Sequence, residues 1–182
     1  MATPSPFPPR SSAAPDPRSR RIADGTTSAL LSELKTRARL QRNAHRGEPA
    51  GPSLRHCLDQ AARNVGFTHW EQTRCVLGGL AEPGDDMGTF WHAPRCDSLL
   101  NEWYADAAQA RAALAARAGA VLLPYRRQYI VVGEPFLREL GLDPDHAAWT
   151  AARRDLVQAY GSAPWRELAA LRLKAPRSSF AA

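Results

Sequence analysis

Residues 120–133 read AVLLPYRRQYIVVG. Val121, Leu122 and Leu123 form one aliphatic run, and Tyr129, Ile130, Val131 and Val132 form another. Runs of β-branched and aromatic residues of this length predict strands. Residues 124–128 between them predict the end of a hairpin. Proline has no N–H to give a ladder, so Pro124 belongs at a strand end or an edge. This is the strongest strand signal in the chain, and it makes an all-helical fold untenable.

Upstream of the hairpin, Gly119 closes an alanine-rich stretch. Residues 99–118 carry Leu99, Leu100, Trp103, Ala107, Ala110, Ala113 and Leu114 at helical spacing, so a long helix capped by Asp97 or Ser98 is expected there. Residues 81–98 form a connector rich in Pro, Gly and Asp, with a short strand expected at 89–92. Before it lies SLRHCLDQAARNVGFTHWEQTRCVLGGL, residues 53–80. Ser53 is a helix N-cap. Leu54, Cys57, Leu58, Ala61, Ala62 and Val65 make an apolar stripe. Gly66 supplies the left-handed residue that stops the helix, with Phe67 folding back behind it. Thr68 and Glu71 have the spacing of a capping box for the next helix, which buries Trp70, Thr73 and Leu77. A further helix is expected over 26–44, capped by Thr26, Thr27 or Ser28, with Leu30, Leu31, Leu34 and Ala38 facing inward.

Downstream, Glu134-Pro135 starts a short helix to Leu140. Asp143-Pro144 opens a longer one through Tyr160, and Ser162-Ala163-Pro164 opens a last amphipathic helix. The expected fold is α+β: an N-terminal three-helix module, then a small antiparallel three-stranded sheet packed with helices. The expected organisation is a disordered basic Pro/Ser-rich tail (1–25), a helical module (26–80), the connector (81–98), an α+β domain (99–175) and a loose tail (176–182).

Leu34-Lys35 with Ala38, then Ser53, Leu58 and Ala61, then Gly66-Phe67 with Trp70, resemble a small helical module described as glyoxalase-related in bacterial proteins. The resemblance covers 28–80 and implies a compact helical fold. It implies no catalytic residue, because glyoxalase chemistry needs a metal held by His and Glu on paired βαβββ units and this chain lacks that strand pattern. The C-terminal half, with LLPYRRQYIVV, resembles uncharacterised conserved bacterial proteins.

The 182-residue chain carries a net charge of +6. A basic balance favours acidic partners, so the expected partner is nucleic acid or another protein. Lys35, Arg39 and Arg42 on the first helix and Arg126, Arg127 and Tyr129 at the hairpin are the candidate anion-binding residues. Arginine interleaved with tyrosine is a combination that stacks on bases and pairs with phosphate. Adjacent strand residues face opposite ways, so one of the two hairpin arginines is expected in any shared groove. A helix-turn-helix reading of 53–80 fails, because Glu71 and Gln72 stand where that motif turns an apolar residue inward.

Reactive constellations are weak. His92 and Cys96 lie four apart, and His56 and Cys57 are adjacent, but no paired ligand knuckle exists, so no metal and no cofactor are expected. Asp85, Asp86, Asp97 and His92 lie around one loop. Their alternative to turn and cap duty is acid–base work, with His92 acting beside the 124–129 hairpin in an RNA-acting enzyme or toxin-like factor. Three cysteines without a CxxC pair, no apolar leader and no long apolar run lead us to expect a cytoplasmic protein outside the membrane. The leading expectation is a binding protein without catalytic activity.

Overall fold

The chain is described by a computed structural model covering residues 17–48, 50–176 and 180. In chain order its elements are α1 (Pro17–Ala44), α2 (Leu54–Arg63), α3 (Trp70–Leu77), β1 (Asn101–Tyr104), α4 (Ala107–Ala116), β2 (Val121–Tyr125), β3 (Gln128–Val132), α5 (Glu134–Glu139), α6 (Ala147–Ala151) and α7 (Ala163–Lys174). The fold is α+β, with one small antiparallel sheet.

α1 buries Leu30, Leu34 and Ala38, one residue per turn, and packs on α2, α3 and α7. It begins at Pro17, so residues 17–25, assigned to the tail, are helical, and Thr26, Thr27 and Ser28 lie inside the helix rather than capping it. The remainder of that tail, 1–16, lies outside the described residues, as does most of the C-terminal one. Ser53 caps α2 by accepting the His56 N–H at 3.2 Å. Gly66 follows with φ +91°, and the Phe67 N–H returns to the Ala62 carbonyl at 3.1 Å. The capping box of α3 sits one residue later than its sequence suggests. His69 is the N-cap, accepting the Gln72 N–H through Nδ1, and Gln72 Oε1 accepts the Thr68 N–H at 2.8 Å. Glu71 instead pairs with Arg74 at 2.8 Å on the solvent side.

The sheet order is β1-β3-β2, antiparallel throughout. Val121, Leu123, Ile130 and Val132 belong to the main core, which also takes in Leu34, Phe67, Leu77 and residues of α5–α7. Alternate residues Leu122 and Val131 face the other way, into a second cluster with Ala110 of α4. Both faces are covered, which is why the strands read as continuous apolar runs.

Two expected elements are replaced. Residues 89–91 form a turn, not a strand. The third strand is β1, cut from the front of the expected 99–118 helix. Aromatic Trp103 and Tyr104 suit a pleated surface and pair with Ile130 and Tyr129. The helix then begins at Ala107, where Asp106 accepts the Ala108 and Gln109 N–H groups, both at 2.9 Å. The expected 143–160 helix shrinks to α6, capped by His146 rather than opened by Asp143-Pro144. Arg153 and Arg154 end it in left-handed conformation, φ 53° and 55°, which costs about 1–2 kcal/mol each in an L-residue. The gain is at the sheet edge: the Leu122 N–H reaches the Arg154 carbonyl at 2.8 Å, and the Leu156 N–H reaches Leu122 at 2.9 Å. An open edge of β2 is thereby paired, and backbone satisfaction outweighs helix continuation.

Candidate functional site

The connector is fastened to the hairpin by its backbone. The Thr89 N–H bonds the Gly66 carbonyl at 2.7 Å, the Arg126 N–H bonds the Gly88 carbonyl at 2.7 Å, and the Met87 N–H bonds the Arg126 carbonyl at 2.9 Å. A path of main-chain contacts thus runs from the α2–α3 junction through the connector to the hairpin tip. Gly88 has φ +67°, and a Cβ there would stand 2.7 Å from both the Gly66 oxygen and a Phe67 ring carbon. Only glycine permits this approach. At the connector's start, the hydroxyl of half-buried Tyr160 donates to the Val76 carbonyl at 2.8 Å and accepts the Ala81 N–H at 3.1 Å. Burial pushes its phenol up to about 12.

Between the connector and the hairpin lies a cleft of about 360 Å³. Its floor is apolar: Met87, Pro124, Leu156 and Val157, with Tyr129 and Tyr160 alongside. Arg111, Arg126 and Arg127 stand around it, with Glu82 and Asp85 on the connector. Arg126 has φ 50°, at the turn position where glycine is favoured. Its guanidinium carbon lies 5.5 Å from the centre of the Tyr125 ring. Both hairpin arginines line the cleft. The expectation that one alone would do so took them for strand residues, but they are the two turn residues between the paired Tyr125 and Gln128, and the alternation of a strand does not apply to them.

Arg111 is held from below. Its Nε donates to Asp155 Oδ2 at 2.8 Å, while Asp155 Oδ1 accepts the Val157 and Gln158 N–H groups at 3.0 and 2.8 Å. Asp155 is buried and fully engaged, so it orients Arg111 without presenting a free charge to the cleft. The arginine side chain remains 44% exposed.

Of the residues selected from sequence, Arg126, Arg127 and Tyr129 meet in this cleft. Lys35, Arg39 and Arg42 do not: they are exposed on α1, which packs on α2, α3 and α7, and among the described residues none of α1 lines the cleft. Sequence reasoning missed Arg111 and Tyr160. Nothing in their neighbourhoods signals them, because their partners lie 44 and 79 residues away.

His92 lies elsewhere. It is buried against Tyr125, Phe136 and Trp103, with ring centres 5.1, 5.8 and 5.9 Å away. Burial pulls its pKa down, Asp97 pulls it up, and Arg126 and Arg172 pull it down. Nε2 stands 3.1 Å from Asp97 Oδ1, but out of line for a hydrogen bond. Asp97 therefore contributes charge here and caps no helix. His92 does not line the cleft. Cys96 is buried nearby, its thiol pushed up by that burial. Among the described residues, no group of three or more His, Cys, Asp and Glu converges as a metal site, and no helix is long and apolar enough to cross a membrane.

No protein-family model, curated protein or solved structure matches the chain.

Proposed function

We propose that this chain is a binding protein of the bacterial cytoplasm that catalyses no reaction and contacts nucleic acid through the cleft between the connector and the hairpin. The observation that carries this reading is the cleft itself. Three guanidinium groups surround an apolar floor beside two tyrosines. Arginine pairs with phosphate through a planar fork of donors, and an apolar, aromatic surface accepts the face of a base. The hairpin tip is held by two main-chain hydrogen bonds to the connector, so the arginines are presented from a fixed support. The second reading, an RNA-acting enzyme or toxin-like factor using the 124–129 hairpin, draws support from the Asp97–His92 approach and from Arg126 lying near enough to shift His92. The burial of His92 away from the cleft favours the first.

The test is fluorescence anisotropy with a labelled 12-nucleotide uridine strand across a salt series. Affinity should rise as salt falls, with a slope of about 0.7 per phosphate neutralised. The Arg126→Ala/Arg127→Ala variant should weaken it. Absence of binding at low salt refutes the reading. Cleavage of the strand by the wild type that is lost in His92→Ala would establish the enzyme instead.

A further inference from the structure

A second arginine-lined depression adjoins the cleft. A groove of about 430 Å³ is lined by Arg111, Arg117, Arg153 and Arg154 over Leu114 and Gly119. Arg154 is steadied by the Gly119 carbonyl at 3.0 Å, and Arg117 lies 3.4 Å from Glu102. Arg153 is exposed, and the hydrogen bond it makes is from its backbone N–H to the Thr150 carbonyl at 2.9 Å. Among the described residues the acidic side chain of the groove is Asp155, whose oxygens are already taken by Arg111 and two backbone N–H groups.

Cleft and groove adjoin, because Arg111 lines both. Two elements run past it from one depression to the other, and a third lies along their junction. Along α4, Ala107 belongs to the cleft and Leu114 to the groove. Along the outer strand, Arg126 and Pro124 belong to the cleft and Ala120 to the groove. Along the segment after α6 the two alternate: Arg153 and Gln158 line the groove, and Val157 and Tyr160 line the cleft. At about 3.3 Å per strand residue, the run from residue 120 to 125 spans roughly 16 Å, with Arg126 at the turn just beyond it.

We propose that cleft and groove form one track for the backbone of a single nucleic-acid strand, with Arg111 as the joint between them. This rests on the reading of the cleft as a nucleic-acid site and specifies its ligand. An extended strand fits a narrow path with guanidinium groups spaced along it and apolar floor between them, whereas a nucleotide monomer would occupy the cleft alone. The track is long enough for a site near the lower end of the range of about 4–16 nucleotides used by single-strand binders. Asp155 acts as a positioning residue, holding Arg111 where both depressions meet.

The experiment compares labelled uridine strands of 2, 4, 8 and 12 nucleotides, a 12-base-pair duplex and polyglutamate on the full chain. The variants are Arg117→Ala/Arg153→Gly and Arg126→Ala/Arg127→Ala. Glycine at 153 suits the left-handed backbone there, and thermal unfolding confirms the fold of each variant. Affinity should climb at least tenfold between 2 and 8 nucleotides. The groove variant should lose about 5- to 20-fold on the 12-mer and little on the dinucleotide, with its salt slope reduced by about 0.7 per lost phosphate contact. If the groove variant binds the 12-mer as the wild type does while the hairpin variant does not, the site is the cleft alone: the track is refuted and the function stands. Equal or tighter binding of duplex or polyglutamate also refutes the track. If no strand binds at all, the functional reading falls with it.

Discussion

The basic face of α1 and the arginine-lined cleft are built differently. On α1, Lys35, Arg39 and Arg42 stand exposed on one helix, and that helix alone fixes their spacing. Around the cleft, Arg111, Arg126 and Arg127 come from α4 and the hairpin, and the wall facing them comes from the connector. The first arrangement is local and open. The second exists only when distant segments dock, and it places charge beside an apolar floor. Exposed cations on a helix gain little from any one partner, because water and salt screen them. Cations around a concavity can act together on one ligand. The difference teaches that charge count alone does not choose between the surfaces, whereas their dependence on tertiary docking does.

The largest expected effect comes from breaking the docking. Gly88→Ala places a methyl group against the Gly66 oxygen and the Phe67 ring at 2.7 Å, on a left-handed backbone. Strain and overpacking together should cost about 2–4 kcal/mol of stability by chemical denaturation. The cleft should lose its ligand at least as fully as if its arginines were removed, while α1 keeps its charges. A Gly88→Ala protein that is folded and binds at wild-type affinity would erase the distinction between the surfaces.

Next is the direct exchange of charge. Arg126→Ala/Arg127→Ala should weaken strand binding about 10- to 100-fold at low salt, since hydrogen bonds to charged groups contribute about 1.5–3 kcal/mol each and part of that is recovered by water. Lys35→Ala/Arg39→Ala/Arg42→Ala removes more formal charge and should cost less than about threefold, as expected of screened surface cations. Anisotropy titrations decide it, and the reverse ranking would move the interface to α1.

Tyr160→Phe is milder. It removes one hydroxyl that serves the Val76 carbonyl and the Ala81 N–H, leaving half-buried groups without that partner, at about 1–2 kcal/mol. Because the residue anchors the start of the connector, binding should weaken a few-fold while the α1 face is unaffected. A stability loss with no change in affinity would show that the connector's start does not shape the cleft.

What could be read from sequence divides along the same line. The α2 cap at Ser53, the Gly66 stop, the hairpin runs and the Ser162 start of α7 are decided by neighbours within a few residues, and they stand where the sequence puts them. β1 was hidden because Leu99, Leu100 and Trp103 fit a helical stripe, while the strand needs β3 beside it to form. The left-handed pair Arg153-Arg154 was hidden because the residue types favour helix, and the need it meets belongs to Leu122, some thirty residues earlier. The hairpin half of the cleft was visible as arginine between tyrosines. Arg111, Tyr160 and the glycine contact at 66 and 88 were not, since each depends on a partner that only folding supplies.

The smallest expected effect tests how far the hairpin charge reaches. His92 has its pKa lowered by burial and by Arg126 and Arg172, against the opposing pull of Asp97. With the folded value below the unfolded one of about 6.5, the unfolded chain takes up the proton first as pH falls. The stability associated with neutral His92 is therefore fully present above about 6.5 and declines below it, with a slope of at most about 1.4 kcal/mol per pH unit for one proton. His92→Gln should remove that contribution from the pH dependence of the melting temperature. Arg126→Ala should reduce it, because losing a nearby positive charge lets the folded pKa rise toward the unfolded one. The α1 triple variant should leave the acid slope unchanged, since its charges do not enter the surroundings of His92. An α1 variant that alters the slope as much as Arg126→Ala would mean that the two basic surfaces share one long-range field, and that the cleft is not electrically distinct from the helix.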